Sequence, residues 1–273
     1  MTHAERAAKF LELHTGGAPL LLPNPWDIGS ARLFASMGFD ALATTSSGHA
    51  ATLGRLDGGV TRDEAIEHAA MLVAATELPL SADLENGFGA DAAGVAQTLQ
   101  MALAVGLAGG SVEDSSGNED APIFEMAEAV ERVAAAAEVA HGGEIHLVLT
   151  ARCENHLHGR DDLADTIARL QAYQEAGADV LYAPGLRSLE DIRSLVAAVD
   201  RPVNVLALPG VPPVAELAAV GVSRISVGGG FAFAGLGAVI EAARELRDDG
   251  TYAYWERTSI GSKGARKAFG RAG

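Results

Sequence analysis

Apolar residues along this chain fall into two alternating patterns. Short β-rich runs recur at LLLPN (20–24), ALATTSS (41–47), LPLSADLE (78–85), GGSVED (109–114), IHLVLTAR (145–152), DVLYAPG (179–185), PVNVLAL (202–208) and RISVGG (224–229). Between them lie stretches such as TRDEAIEHAAMLVAATE, IFEMAEAVERVAAAAEVA and DDLADTIARLQAYQEAG, with apolar residues at helical spacing, acidic residues near their starts and glycine near their ends. Strand and helix thus alternate eight times. A parallel neighbour is reached only through a crossover, and eight βα units close a (β/α)8 barrel, so the predicted fold is an α/β TIM barrel. An open doubly wound sheet is the rival. It would usually carry a glycine-rich turn after its first strand, where this chain reads PNPWDIGS.

The even spread of apolar residues predicts one domain over 1–273, with an extra N-terminal helix at about 2–14 and a C-terminal tail at about 251–273 that packs on the barrel or on a neighbouring subunit. The N-terminus is charged and amphipathic, no run of eighteen apolar residues occurs, and the only cysteine is Cys153. These features lead to the expectation of a cytoplasmic protein in a reducing compartment, with no membrane partner. No Cys/His grouping with zinc-ligand spacing stands out. The formal net charge of −16 excludes nucleic acid as a natural partner and gives an anionic substrate no long-range steering, so a local positive centre is required. Lysine occurs only at Lys9, Lys263 and Lys267, near the termini, which argues against Schiff-base chemistry.

In a barrel of this kind the strand ends and following loops line one mouth. Polar residues gather there: Ser46, Ser47 and Gly48 after the second strand, Asp83 and Glu85 at the third, Glu113 and Asp114 at the fourth, Arg152 at the fifth, with Asn204 in the seventh. As i and i+2 of a strand, Asp83 and Glu85 would share a face. Their repulsion at roughly 4 to 5 Å would be about 3 to 4 kcal/mol at an effective dielectric near 20, which calls for a cation, a shared proton or open water. Oxygen ligands without nitrogen or sulfur suit magnesium, with manganese the alternative, held by Asp83 and Glu85, with Glu113 on its waters. Arg152 either pairs with Glu154 or Asp114, or serves as the fork for a substrate carboxylate. Ser46, Ser47 and Gly48 are either an ordinary βα turn or a set of backbone donors for an anionic oxygen. His156 and His158 are read as structural, Cys153 as a packed thiol pointing away from Arg152, and His49 as undecided.

The motifs TTSSGHAATLGRLDGG, ADLENGFG, SVEDSSG and LTAR, in this order, resemble those of the isocitrate lyase/phosphoenolpyruvate mutase superfamily, over nearly the whole chain. The resemblance implies a barrel that binds magnesium and a 2-oxo acid or its enolate, an eighth helix often exchanged between subunits, and a homo-oligomer, dimer or tetramer. By motif match, Ser47 and Gly48 correspond to the turn that holds the substrate's carboxylate and oxo group, Asp57 to a loop aspartate near the metal, Asp83 to the central metal-shell aspartate, Glu113 to the glutamate that orders metal-bound water, and Arg152 to the substrate-binding arginine. Glu85 stands where most members carry a second aspartate. Ser115, Ser116, Gly117 and Asn118 fall in the gating loop (115–124), which here reads SSGNEDAPIF. Lyase members carry K-[KR]-C-G-H there, and mutases a lysine and an asparagine. LYAPG also replaces the mutases' histidine after the sixth strand.

What remains is electrophilic. The expected function is a magnesium-dependent lyase acting on a 2-oxo or 2-hydroxy carboxylate through an enolpyruvate-like intermediate, by C–C cleavage or oxaloacetate-type decarboxylation. The alternatives are a mutase or hydrolase of a P–C bond, a non-catalytic 2-oxo acid binder, and a phosphate-binding isomerase anchored at Val227–Gly230.

Overall fold

A computed structural model describes residues 1–270 of the chain; the last three residues of the expected tail lie outside the described residues. All eight expected strands are present: β1 (Leu20–Leu22), β2 (Leu42–Ala43), β3 (Leu80–Asp83), β4 (Gly109–Glu113), β5 (Val148–Arg152), β6 (Val180–Tyr182), β7 (Val203–Leu206) and β8 (Arg224–Ser226). They pair in parallel in the order β1-β8-β7-β6-β5-β4-β3-β2, a (β/α)8 barrel. The helices are α1 (His3–Glu12), α2 (Ile28–Ser36), α3 (Ser46–Thr52), α4 (Arg62–Ala75), α5 (Ala92–Ala104), α6 (Met126–His141), α7 (Leu163–Glu175), α8 (Leu189–Ala198), α9 (Val214–Ala219), α10 (Gly230–Arg244) and α11 (Trp255–Phe269).

The barrel closes without a regular ladder between β1 and β2. Across that seam run one backbone bond, from the Ala43 N–H to the Pro23 carbonyl (3.2 Å), and one from the Asn24 amide to the Thr44 carbonyl (2.8 Å). Asn24 Oδ1 in turn accepts the Val227 and Gly228 N–H groups at 2.9 and 3.0 Å, so one side chain joins β1, β2 and the end of β8.

Helix starts are set locally. Thr61 and Glu64 form a reciprocal capping box on α4, Thr2 and Glu5 do the same on α1, and Asp91 and Asp162 cap α5 and α7. After α7 the chain turns at Gly177 with φ +109°, where a Cβ would also lie 2.7 Å from that of Ala137. The main core fills the layer between strands and helices with residues such as Leu72, Leu99, Leu149 and Leu170. A second cluster at the N-terminal end contains Ala7 and Phe10 of α1 with Leu20, Val148 and Val180, so the extra helix plugs the barrel floor.

Two local expectations are corrected. The second strand stops at Ala43, because the Thr45 side chain accepts the Gly48 N–H (3.3 Å) and starts α3; Ser46, Ser47 and Gly48 therefore open a helix instead of ending a strand. The third strand stops at Asp83, and Glu85 sits in a left-handed conformation (φ 48°), so the two acids are not i and i+2 of one strand. In the tail, α11 lies along α2, with Phe269 near Gly29 and Leu33 near Gly264. On α10 only Ala232 is buried, leaving Phe231, Phe233, Leu236, Val239 and Ile240 exposed.

Candidate active site

The C-terminal ends of the strands surround a cavity of about 170 Å³ whose lining includes Ser46, Ser47, Asp57, Asp83, Arg152 and Tyr182. Its centre is electrostatic. Register places Glu113 of β4 beside Arg152 of β5, and Arg152 beside Tyr182 of β6. The guanidinium spends all three nitrogens on carboxylates: Nη1 on Asp83 Oδ1 (2.9 Å), Nη2 on Glu113 Oε2 (3.0 Å) and Nε on Glu154 Oε1 (2.9 Å). Its carbon lies 5.3 Å from the centre of the Tyr182 ring. Of the partners considered from sequence, Glu154 is bonded to Arg152, whereas Asp114 is not. Asp114 instead accepts Arg169 Nη1 (3.2 Å), the Tyr173 hydroxyl (2.6 Å) and the Glu154 N–H (2.8 Å), a buried brace behind the site.

Negative charge exceeds positive here. Burial works against the charge of Arg152, but Glu113, Glu154 and Asp83 outweigh it and raise its pKa well above the usual arginine value. Burial pushes the carboxyls of Glu113 and Glu154 up, with Arg152 opposing. The Glu85 carboxyl is pushed up to about 7, first by burial and then by the charges of Asp83 and Asp57, again against Arg152.

The other expected residues divide. Asp83 is anchored at both ends of its carboxylate, since Oδ2 accepts the Ser46 N–H (3.2 Å), and its own N–H is donated to Thr44 Oγ1 (2.8 Å). Asp57 is exposed on the loop after α3 and reaches the cavity wall. Ser47 Oγ meets Thr45 Oγ1 at 3.1 Å. Gly48 offers no donor to the cavity, because its N–H is spent on the Thr45 cap; its Cα is enclosed by Thr45, Trp26 and Ala232, where a Cβ would meet Thr45 at 2.5 Å. Asn204 lines the cavity, yet both ends of its amide are occupied, by Ser226 Oγ (3.0 Å) and by Arg224 Nε (2.9 Å). Ser115, Ser116, Gly117 and Asn118 do not line this cavity. Their loop is a small hairpin closed by a Ser115–Ile123 bridge, facing outward next to His158.

Several residues of the site escaped the sequence reading. Arg224 opens β8, where a charge suggests an exposed strand edge; it is buried in the barrel, with Nη2 on Thr150 (3.0 Å) and Nη1 on His14 (3.3 Å), and burial lowers its pKa to about 10. Tyr182 lay inside an apolar run and gave no signal. His49 is buried and stacked on His68 (centroids 3.8 Å), with neither ring nitrogen hydrogen-bonded. Burial lowers the pKa of both rings, that of His68 to about 4. Cys153 is buried with its thiol pKa raised by burial, as a packed thiol should be.

The carboxylates of Asp83 and Glu85, with the hydroxyls of Thr44, Thr45 and Ser46 beside them, offer oxygen donors that suit a hard divalent cation, and His49 and His68 line the same recess. The raised Glu85 carboxyl marks an excess of negative charge that such a cation would offset. Asp83, Glu85 and Glu113 do not gather their oxygens around one point, because the Arg152 guanidinium stands between Asp83 and Glu113.

Residues 10–247 match the family model described as phosphoenolpyruvate phosphomutase. The uncharacterized protein Rv1998c of Mycobacterium tuberculosis is 32% identical over 241 residues, covering 88% of this chain and 89% of that one. The 2-methylisocitrate lyase of Halalkalibacterium halodurans is 28% identical over 253 residues (89% and 78%), and the oxaloacetate decarboxylase of Chromohalobacter salexigens 28% over 234 (82% and 79%). Among solved structures, a Burkholderia cenocepacia J2315 protein described only as a lyase/mutase superposes with a TM-score of 0.95 at 48% identity (99% and 97% covered). A 2,3-dimethylmalate lyase of the PEP mutase/isocitrate lyase superfamily superposes at 0.82 and 26% (93% and 90%). With the barrel, the mouth and the motif order in agreement, this chain belongs to the phosphoenolpyruvate mutase/isocitrate lyase superfamily.

Proposed function

We propose that this protein is a divalent-metal-dependent lyase acting on a 2-oxo or 2-hydroxy carboxylate through an enolate of the pyruvate type, with oxaloacetate-type decarboxylation as the leading reaction. The observation that carries the reading is the guanidinium of Arg152 set among three carboxylates in the mouth. Relatives named as lyases and an oxaloacetate decarboxylase support it.

Asp83 and Glu85, with Asp57 and Glu113 nearby, would hold the cation, magnesium by donor type. When bound it supplies a Lewis acid that draws electron density from the 2-oxo group. The chain's own residues supply the rest. Arg152 offers a planar fork to the substrate carboxylate once one of its carboxylate partners yields, with the Tyr182 ring beside it. The first turn of α3 borders the mouth; its Ser46 N–H is held by Asp83 Oδ2, so the Ser47 main-chain N–H would be the donor that meets developing enolate charge. In decarboxylation the C3–C4 bond breaks, its electron pair stays on C3 as the enolate, carbon dioxide departs, and C3 afterwards takes a proton from water. No proton moves before the bond breaks, which fits a central cavity with no thiol, lysine or histidine among its lining residues; His49 and His68 line only the adjoining recess by Asp83 and Glu85.

The test is a panel of oxaloacetate, 2-methylisocitrate and phosphonopyruvate with Mg²⁺, each run beside Asp83→Asn to subtract metal-only decarboxylation. Turnover of either of the first two that needs both Mg²⁺ and Asp83 supports the reading. Turnover of phosphonopyruvate alone, followed by phosphorus NMR, would assign P–C chemistry instead; oxalate binding with no turnover would make the protein a binder. We further propose a homo-oligomer, on the exposed apolar residues of α10, to be checked by light scattering. No described helix is long and apolar enough to cross a membrane.

A further inference from the structure

At the opposite end of the barrel a second group of side chains converges. His141 ends α6, His146 stands just before β5 and Asp179 just before β6. His141 Nε2 lies 3.0 Å from Asp179 Oδ2, and His146 Nε2 lies 3.0 Å from Asp179 Oδ1. The two rings are stacked, with centroids 4.2 Å apart and planes 11° from parallel, so both aim the same nitrogen at one carboxylate. The three donor atoms all lie within 4.8 Å of one another.

We propose that His141, His146 and Asp179 form a zinc-class divalent metal site at the N-terminal face of the barrel, made of two imidazole nitrogens and the Asp179 carboxylate. In a tetrahedral zinc site with bonds of about 2.0–2.1 Å, neighbouring donor atoms lie about 3.3–3.4 Å apart. Each nitrogen faces its own oxygen of the carboxylate, so an ion between the rings would have both oxygens within reach, each nitrogen–oxygen pair opening by about 0.3–0.4 Å and the rings swinging to bring the nitrogens together. Each imidazole would present Nε2 to the ion with its proton on Nδ1.

The carboxylate is already held for this role. Asp179 Oδ2 accepts the Leu149 N–H (2.8 Å), and the Asp179 N–H is donated to the Leu149 carbonyl (2.9 Å), the kind of outer hydrogen bonding that orients a metal ligand. Asp179 is 10% exposed while His141 and His146 are 29% and 41% exposed, which leaves an entry path and room for water as fourth ligand. Nitrogen donors favour zinc over magnesium, so this site and the carboxylate mouth select different ions. They are also apart: β5 alone spans about 13 Å between its ends at 3.3 Å per residue. A bound ion would tie the Gly142–Gly143 turn, which separates the two histidines, to the starts of two adjacent strands. The inference does not depend on the reading of the mouth.

The experiment is calorimetric titration of the full-length protein with Zn²⁺ in excess Mg²⁺, on the wild type, His141→Gln, His146→Ala and Asp83→Asn. Circular dichroism confirms that each variant is folded; both histidines are part-exposed, so their replacement removes little packing. The expected result is one zinc ion per chain whose affinity falls at least about tenfold in each histidine variant, as loss of even an outer-sphere partner can cost that much. Asp83→Asn should leave it unchanged. Zinc should also raise the unfolding midpoint of the wild type and of Asp83→Asn, but not of His146→Ala. Equal affinity in the wild type and both histidine variants overturns the proposal, as does loss of zinc binding in Asp83→Asn alone, or no binding at roughly 0.1 mM free zinc.

Discussion

Replacing Glu85 by glutamine should stabilise the metal-free protein, and only above mildly acidic pH. The Glu85 carboxyl goes from an ordinary 4.5 to about 7 in the folded chain, under burial and the charges of Asp83 and Asp57. The sign follows from proton binding. Below 4.5 the group is protonated whether folded or not, and contributes nothing. Between 4.5 and 7 the unfolded chain has lost the proton while the folded chain keeps it, so native stability falls as pH rises, and above 7 the whole penalty is present. The gap between 4.5 and about 7 sets a ceiling of roughly 3 kcal/mol. Glu85 is only partly buried, so solvent screening reduces this to roughly 1–2 kcal/mol. Glutamine keeps the shape, suits the same left-handed backbone no worse, and cannot ionise. Urea denaturation of both proteins with a chelator at pH 5, 6, 7 and 8 should show curves that separate as pH rises and then run parallel. Added Mg²⁺ at pH 8 should narrow the gap by stabilising the wild type more. A difference that is independent of pH, or that grows toward acid, would refute the electrostatic account of the mouth.

Three further outcomes are expected. Arg152→Met removes the partner common to Asp83, Glu113 and Glu154 and should cost about 3–5 kcal/mol at pH 8, less at pH 5 where carboxyls can take protons; a urea midpoint unchanged at pH 8 would contradict the hub. Tyr173→Phe deletes a 2.6 Å hydrogen bond to the buried Asp114 carboxylate and should cost about 1.5–3 kcal/mol in denaturant titration, whereas a loss of a few tenths would show the brace to be slack. At Gly89 a Cβ would lie 2.5–2.6 Å from the backbone of Gly94 at the start of α5, so Gly89→Ala should destabilise by at least about 1–3 kcal/mol, and an unchanged thermal midpoint would refute that contact.

The barrel was legible because its period is carried by whole segments: each apolar run could be recognised even where the strand proved as short as Leu42–Ala43. Arg152 and Asp83 were legible for a related reason, since charges at the ends of apolar strands must face the mouth or water. Local geometry was harder to read. TTSSGH contains both a strand-like run and a helix cap, and only the bond from the Gly48 N–H to Thr45 decides in favour of the helix. Glu85 seemed to continue a strand because nothing in LENG announces that a non-glycine residue will turn left-handed there. Arg224 went unseen because the groups that make its burial tolerable, Asn204, Thr150 and His14, come from three distant segments. The same holds for Asp179, which meets His141 and His146 from 38 and 33 positions away.

The seam between β1 and β2 has a dynamic consequence. Elsewhere each strand is zipped to both neighbours, but here the ring is fastened by one main-chain bond and a single asparagine clasp. Thermal breathing of the barrel should therefore start at this point, and the amides of Val227 and Gly228, which depend on the Asn24 carbonyl oxygen, should exchange with deuterium ahead of those in β4 and β5. Since Asn24 also borders the mouth, warming would loosen the pocket's rim well before the remaining staves come apart.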